Sequence, residues 1–280
     1  MNMVYYTKYG KGDEYMKITP WQKEWNTLVK QEQAFLRKGE NKKSSLINKA
    51  LEGKVPESLE STLNTAFAKA FSLVFDKGTG IIEKTYRKED LEHDYKVNTY
   101  SVDLKENRKT LGLFSKKANN ASAKNLLLSG VEGIGLGALG IGLPDIPVYV
   151  GVMLKSIYEV ALHFGYPYDT EEEKLFILRL IQTAFSYGDE LKESDEQIND
   201  FIEHGHLPED FDEQAEIRSA AVSLSTELLY LKFLQGLPIV GMVGGAYNTV
   251  YLQKVLSYAK LKYKRRFLLD RNRPNNPDIA

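Results

Sequence analysis

The sequence predicts an all-α, single-domain bundle of many helices with closely packed, glycine-rich central members. Three observations carry this. Apolar residues recur at helical spacing through most of the chain. Thr/Ser-x-x-Glu/Gln boxes and Gly or Pro stops punctuate those stretches. No regular alternation of strand and helix patterns occurs. Of 280 residues 42% are hydrophobic, enough for a large core. Cysteine is absent, so a disulfide frame, thiol catalysis and a Cys-built zinc site are excluded.

Residues 1–18 hold no continuous apolar core. They read as a flexible N-terminal segment without a secretory signal, which points to an intracellular protein. The helical domain is expected over 19–269. Thr19-Pro20-Trp21-Gln22 supplies a cap, a Pro at the first helical position and a Gln three residues on. Trp21, Trp25, Leu28, Val29, Phe35 and Leu36 form the apolar stripe, and Gly39 is the expected stop. A second helix is expected from Pro56 to Lys77, ended by Gly78. Residues 94–116 lack clear periodicity and are left irregular, with a content of Tyr, Val and Thr that permits a short hairpin. Further helices are expected over 146–164, 171–187, 195–203, 213–235 and 239–269. Thr170 with Glu173 and Ser194 with Gln197 supply two more capping boxes. The 171–187 helix is apolar over much of its circumference and should be central. The Pro/Asn-rich tail, 270–280, is expected to be disordered.

Residues 133–147 read GIGLGALGIGLPDIP. Gly135 to Gly140 match the G-x-G-x-x-G dinucleotide fingerprint, but no strand precedes them and a Pro corner follows. A helix fits better. Gly133, Gly137 and Gly140 fall on one face, as do Gly241 and Gly245 of a second Gly-Leu-Pro segment. Each interior glycine costs about 0.5–1 kcal/mol against alanine. Close backbone contact along smooth faces would offset that cost.

GLPDIP, then IYEVALHFGYPYD at 157–169, LPIVGMVGGAYN at 237–248 and the closing Arg265-Arg266-Phe267-Leu268 together resemble the EcsC family of bacterial proteins. The likeness runs over roughly residues 40 to 269. It implies a setting beside an ATP-binding-cassette transporter, because members resemble the third product of an operon encoding one. It implies no settled enzymatic activity.

Charge is distributed unevenly under a net of -1. Asp169–Glu216 holds sixteen acidic residues and three basic ones, whereas 105–124 and 254–273 are strongly basic. The uncharged stretch Phe233–Gln253 is long enough for a membrane span. However, Pro238, four glycines, Gln235 and Asn248 make it only moderately apolar. The 126–154 segment carries Glu132 and Asp145, costly at a bilayer centre. A water-exposed bundle at the cytoplasmic face is expected instead, with Lys116, Lys117, Lys262, Lys264, Arg265 and Arg266 turned toward an anionic membrane surface. No nucleic acid is expected as a partner, since net charge is near zero and no reading motif appears.

Candidate chemistry is sparse. Asp145 lies between Pro144 and Pro147 at a helix start, where a capping role competes with an acid–base pairing to Glu132. Ser156, Glu159 and His163 fall at i, i+3 and i+7, with Tyr149 on the same side. That set suits either a hydrolase or the polar face of an amphipathic helix. Asp145, Tyr149, Tyr158 and Asn248 are candidate binding residues. His204 and His206 sit among carboxylates, which reads as a solvated acidic loop rather than a metal site. No metal and no cofactor are expected. A non-enzymatic accessory protein leads, with a hydrolase using Asp145, Glu159 and His163, or a lipid- or peptide-binding module, as alternatives.

Overall fold

A computed structural model describes residues 18–40, 55–128, 145–205, 212–234 and 246–272. Within them, side chains at 77–79, 81, 123–128, 145, 230–234 and 246–249 are not described. Gly133, Gly137, Gly140, Gly241, Gly245 and Glu132, and with them the expected glycine contact, lie outside the described residues. The described secondary structure is helical throughout.

Helix α1 spans Pro20–Glu40. Its cap is reciprocal: Gln22 N–H donates to Thr19 Oγ1 at 3.1 Å, and Thr19 N–H donates to Gln22 Oε1 at 2.9 Å. Gly39 does not stop it. A Cβ there would lie 2.2 Å from Leu191 Cδ2, so this glycine lets α1 approach a later helix. Helix α2 spans Glu57–Leu73 and buries Leu63, Phe67, Ala70 and Phe71. It ends earlier than expected, because the ladder widens into a π turn at Val74–Gly78 before the short α3, Thr79–Glu83.

Residues 94–116 are not irregular. Apart from the turn at 105–107 they belong to α4, Lys88–Leu104, and α5, Arg108–Leu128. Asn107 caps α5, its Oδ1 accepting from Lys109 and Thr110 N–H at 2.9 and 3.1 Å. Helix α6 spans Asp145–His163 and α7 spans Glu171–Phe185. The expected cap of α7 forms, with Glu173 N–H donating to Thr170 Oγ1 at 3.2 Å. Helix α8 starts earlier than expected, covering Gly188–His204, so Ser194 lies mid-helix and caps nothing. Its C-terminus closes on Gly205 at φ +70°. Helix α9 spans Glu213–Leu234 and α10 spans Ala246–Asn272. The start of the expected tail is therefore helical. Tyr166 Oη donates to Asp270 at 2.6 Å and Arg271 pairs with Asp103 at 2.5 Å, which holds the last turn.

Helices α6, α7 and α10 form the centre. Helix α6 packs on α2, α4, α5 and α10, while α7 packs on α8, α9 and α10. Helix α9 bridges α2 and α7, and α1 lies across α10, α5 and α8. The core is continuous from Leu63 and Phe67 through Val150, Met153 and Ile157 to Ile177, Leu178, Val255 and Tyr263. No described helix is long and apolar enough to cross a membrane.

Candidate functional site

Of the residues proposed for catalysis, Glu159 and His163 have described side chains on α6, and Glu132 lies outside the described residues. Asp145 opens α6 and Asn248 lies in the first turn of α10, but neither side chain is described. Ser156 Oγ is spent on the carbonyl of Val152 at 2.7 Å, a bond within its own helix. Tyr149 is buried and its hydroxyl has no hydrogen-bond partner among the described residues; burial pushes its ionisation well up, so it stays neutral. Tyr158 stacks on Tyr168 with centroids 4.1 Å apart. Tyr168 Oη in turn donates to Glu83 at 2.6 Å and accepts from Tyr86 Oη at 2.7 Å. Glu159 is buried and sits near Tyr86. These groups serve the joint between α6 and the α3–α4 layer.

His163 is buried, and its Nδ1 has no partner among the described residues. Burial holds its imidazole down at about 4; nearby Asp94 opposes this and Lys117 reinforces it. The unfolded chain takes up this proton near pH 6.5, and the folded one only near 4. The stabilisation is thus complete above about 6.5 and is lost as pH falls from there to about 4, by about 3 kcal/mol. Replacing His163 with Phe is expected to flatten the wild-type fall in urea midpoint between pH 7 and 4.5. An unchanged slope would show that His163 is not its source.

The cavity best defined among the described residues lies elsewhere. A groove of about 620 Å³ runs between α2 and α9, lined by Asn64, Lys69, Ser72, Gln214, Arg218 and Val222 among others. It contains none of the expected catalytic residues. His204 is exposed and pairs with Asp200 at 3.1 Å, and no group able to hold a metal occurs among the described residues.

The basic run of α10 requires a correction. Lys262, Lys264, Arg265 and Arg266 were expected on the surface. Lys262 is 0% exposed, Lys264 is buried, and the two arginines are partly buried. Acids from distant helices neutralise them. Lys262 Nζ lies 3.0 Å from Glu32 and 2.8 Å from Asp195. Lys264 pairs with Glu24 at 2.8 Å, Arg265 with Glu32 at 3.2 Å and Arg266 with Glu173 at 2.6 Å. Burial pushes the Glu24 carboxyl up, but Lys264 and Arg108 outweigh it and hold the group below its usual range. Tyr258 and Tyr263 donate to Asp195 and Glu173 at 2.7 and 2.5 Å, filling the remaining acceptors. The physical reason is desolvation: these cations are tolerated inside only because each meets a carboxylate.

The surface that remains available is the α4–α5 corner. Val97, Tyr100 and Leu104 are 48%, 65% and 69% exposed, among the most exposed large apolar residues described. Their spacing of three and four puts them on one face of α4, opposite buried Asn98 and Val102. Lys96 flanks that face, Lys105 follows Leu104, and Lys109 opens α5; all three are exposed. So is Lys116, further along α5. None of these four forms an ion pair among the described residues. Of the nearby charges, Lys117 pairs with Asp94 at 2.8 Å, Arg108 with Glu24 at 3.1 Å and Asp103 with Arg271, while Glu92, one turn before Lys96, forms no ion pair among the described residues. Glu106 is the exposed acid left in the corner. The stripe was present in the sequence at its 3–4 spacing, but it points outward. Core-facing periodicity is therefore weak along α4.

A model of the EcsC protein family matches residues 21–268. Protein EcsC of Bacillus subtilis (strain 168) is 24% identical over 163 residues, 55% of this chain and 59% of that protein. The uncharacterized protein YdbA of the same organism is 23% identical over 138 residues, 49% and 51% of the two chains. The chain thus spans only somewhat over half the length of these curated relatives. No solved structure matches it.

Proposed function

This chain belongs to the EcsC family, and on that premise we propose that it is a non-catalytic accessory protein that docks on the cytoplasmic face of an anionic membrane through the α4–α5 corner. One observation carries the reading: three exposed apolar side chains on one helical face, edged by cations that have no ion-pair partner among the described residues. Tyr100 is suited to a headgroup boundary, having an apolar ring and a polar tip. Seating the three side chains contributes on the order of 1 kcal/mol each, given that they are already partly covered. Each of Lys96, Lys105 and Lys109 adds about 1 kcal/mol near an anionic leaflet. The sum, about 6 kcal/mol, corresponds to salt-sensitive attachment at tens of micromolar. A transporter embedded in that membrane is the partner we propose for the docked protein.

The test is sedimentation with phosphatidylserine vesicles at low salt. Wild type is expected to bind, and to be released by high salt. Tyr100→Asp/Leu104→Asp is expected to weaken partitioning at least tenfold with an unchanged helical spectrum. Wild-type protein that stays in the supernatant at low salt would remove the proposal.

A further inference from the structure

We propose that the face of α10 beneath α1 is a second anion-binding surface, closed by α1 itself, which takes anionic phospholipid headgroups when α1 lifts. The choice of lipid as ligand rests on the membrane reading above; the lifting of α1 does not.

The buried side chains of α1 are Glu24, Leu28 and Glu32, at i, i+4 and i+8. Two carboxylates and one aliphatic residue are an unusual inner stripe for a helix. Helix α7, by contrast, buries Leu175, Phe176, Ile177, Leu178, Leu180 and Ile181. The two acids of α1 stand about 12 Å apart along it. Glu24 meets Lys264 and Arg108, and Glu32 meets Lys262 and Arg265. The remaining attachments lie toward the rims. Trp21 Nε1 donates to the carbonyl of Leu268 at 2.8 Å, and Arg265 lies over Trp25 at 5.0 Å. Phe35 touches Tyr258 at 4.9 Å, and Lys192 pairs with Glu40 at 2.9 Å in the open.

The charge balance shows what α1 conceals. With it in place, Arg108, Lys262, Lys264 and Arg265 face Glu24, Glu32 and Asp195. With it lifted, Asp195, on Lys262, is the one carboxylate still paired with those four cations among the described residues. Lifting α1 thus trades two carboxylates for a strongly cationic strip. Phosphodiester and carboxylate groups of anionic lipids present the same acceptor chemistry as the departing glutamates, and arginine binds both in the same forked geometry. A helix held by ion pairs and rim aromatics is the kind of unit that opens below the global unfolding limit.

The experiment starts from the full chain carrying Tyr100→Asp/Leu104→Asp, so the first surface is silenced and its failure is scored separately. Two variants loosen α1: Trp21→Ala, which changes no charge, and Glu24→Gln/Glu32→Gln. A third, Gly39→Cys/Leu191→Cys, pins α1 to α8 when oxidised. The close approach there suits a disulfide, and the chain has no other cysteine. Hydrogen exchange of residues 20–40 reports lifting, and sedimentation with phosphatidylserine vesicles reports binding. Both loosening variants are expected to exchange faster in α1 and to bind vesicles at least fivefold more. Combined with the oxidised pin, each should lose the gain, and reduction should restore it. Three results would overturn the proposal: faster exchange without added binding, a gain that survives the pin, or no change of exchange in either variant. Inorganic phosphate slowing α1-loosened unfolding while vesicles do not bind would assign the face to a soluble anion and overturn the lipid assignment.

Discussion

Replacing Gly165 with alanine is expected to destabilise the protein by about 3 kcal/mol, from backbone strain and overpacking together. Gly165 ends α6 in a Schellman motif. Its N–H donates to Leu162 O at 3.0 Å, and Tyr166 N–H donates to Ala161 O at 3.0 Å. Its φ is +87°, where a side chain is strained. An added Cβ would also sit 2.2, 2.4 and 2.7 Å from three ring carbons of Tyr95. The backbone and the ring both forbid it. The cap also sets the path of Tyr166, whose ring carries Arg266 at 4.1 Å, and of Tyr168. At this chain size the melting temperature should fall by roughly 6–12 °C. In a Tyr95→Ala background the clash is gone and the alanine should cost only about 1–2 kcal/mol, the left-handed backbone alone. A Gly165→Ala protein melting within about 2 °C of wild type would contradict the argument.

Lys262→Met is expected to be at least as damaging, at about 3–5 kcal/mol near neutral pH. The ammonium is fully enclosed, lies over the ring of Tyr258 at 5.4 Å, and reaches Glu32, Asp195 and the Asn199 side-chain oxygen within 3.0 Å. Methionine matches its length but leaves two buried carboxylates short of a cation. Glu32 keeps Arg265; among the described residues Asp195 keeps the neutral donors Tyr258 and Asn199. Most of the loss should therefore fall on Asp195. Lys262→Met/Asp195→Asn is expected to be more stable than Lys262→Met alone, by one or more kcal/mol in a denaturant double-mutant cycle. Strictly additive losses would mean that Lys262 acts by packing rather than by charge.

The helices of this protein were largely legible because their signals are local. Thr19 with Gln22 and Thr170 with Glu173 each lie within one turn; the first box closes reciprocally, and in the second Thr170 caps the helix while the Glu173 carboxylate turns to Tyr263 and Arg266. The central place of α7 followed from its apolar circumference. Where local signals conflict, the fold departs from them. Ser194 with Gln197 looks like a cap, but the α8 pattern continues through it from Gly188. Helices α4 and α5 were missed because α4 turns Val97, Tyr100 and Leu104 outward and buries Asn98. This reversal blurs the apolar stripe that reveals a helix. The reversed face is also the membrane surface proposed here, so the same residues that hid the element point to its use.

The sequence by itself determined the family, the all-α class and, to within two residues, both ends of α1, α6, α7 and α9, since caps, stops and a 3.6-residue period act between neighbours. Only the tertiary structure decided the fate of the charges. Lys262 and Glu32 are 230 residues apart in the chain, and Lys264 and Glu24 are 240. Read locally, a run such as Lys-Tyr-Lys-Arg-Arg is a solvated face, because leaving water is costly for an unpaired cation. It becomes interior only when folding delivers carboxylates from the far end of the chain, and no short-range pattern records that encounter.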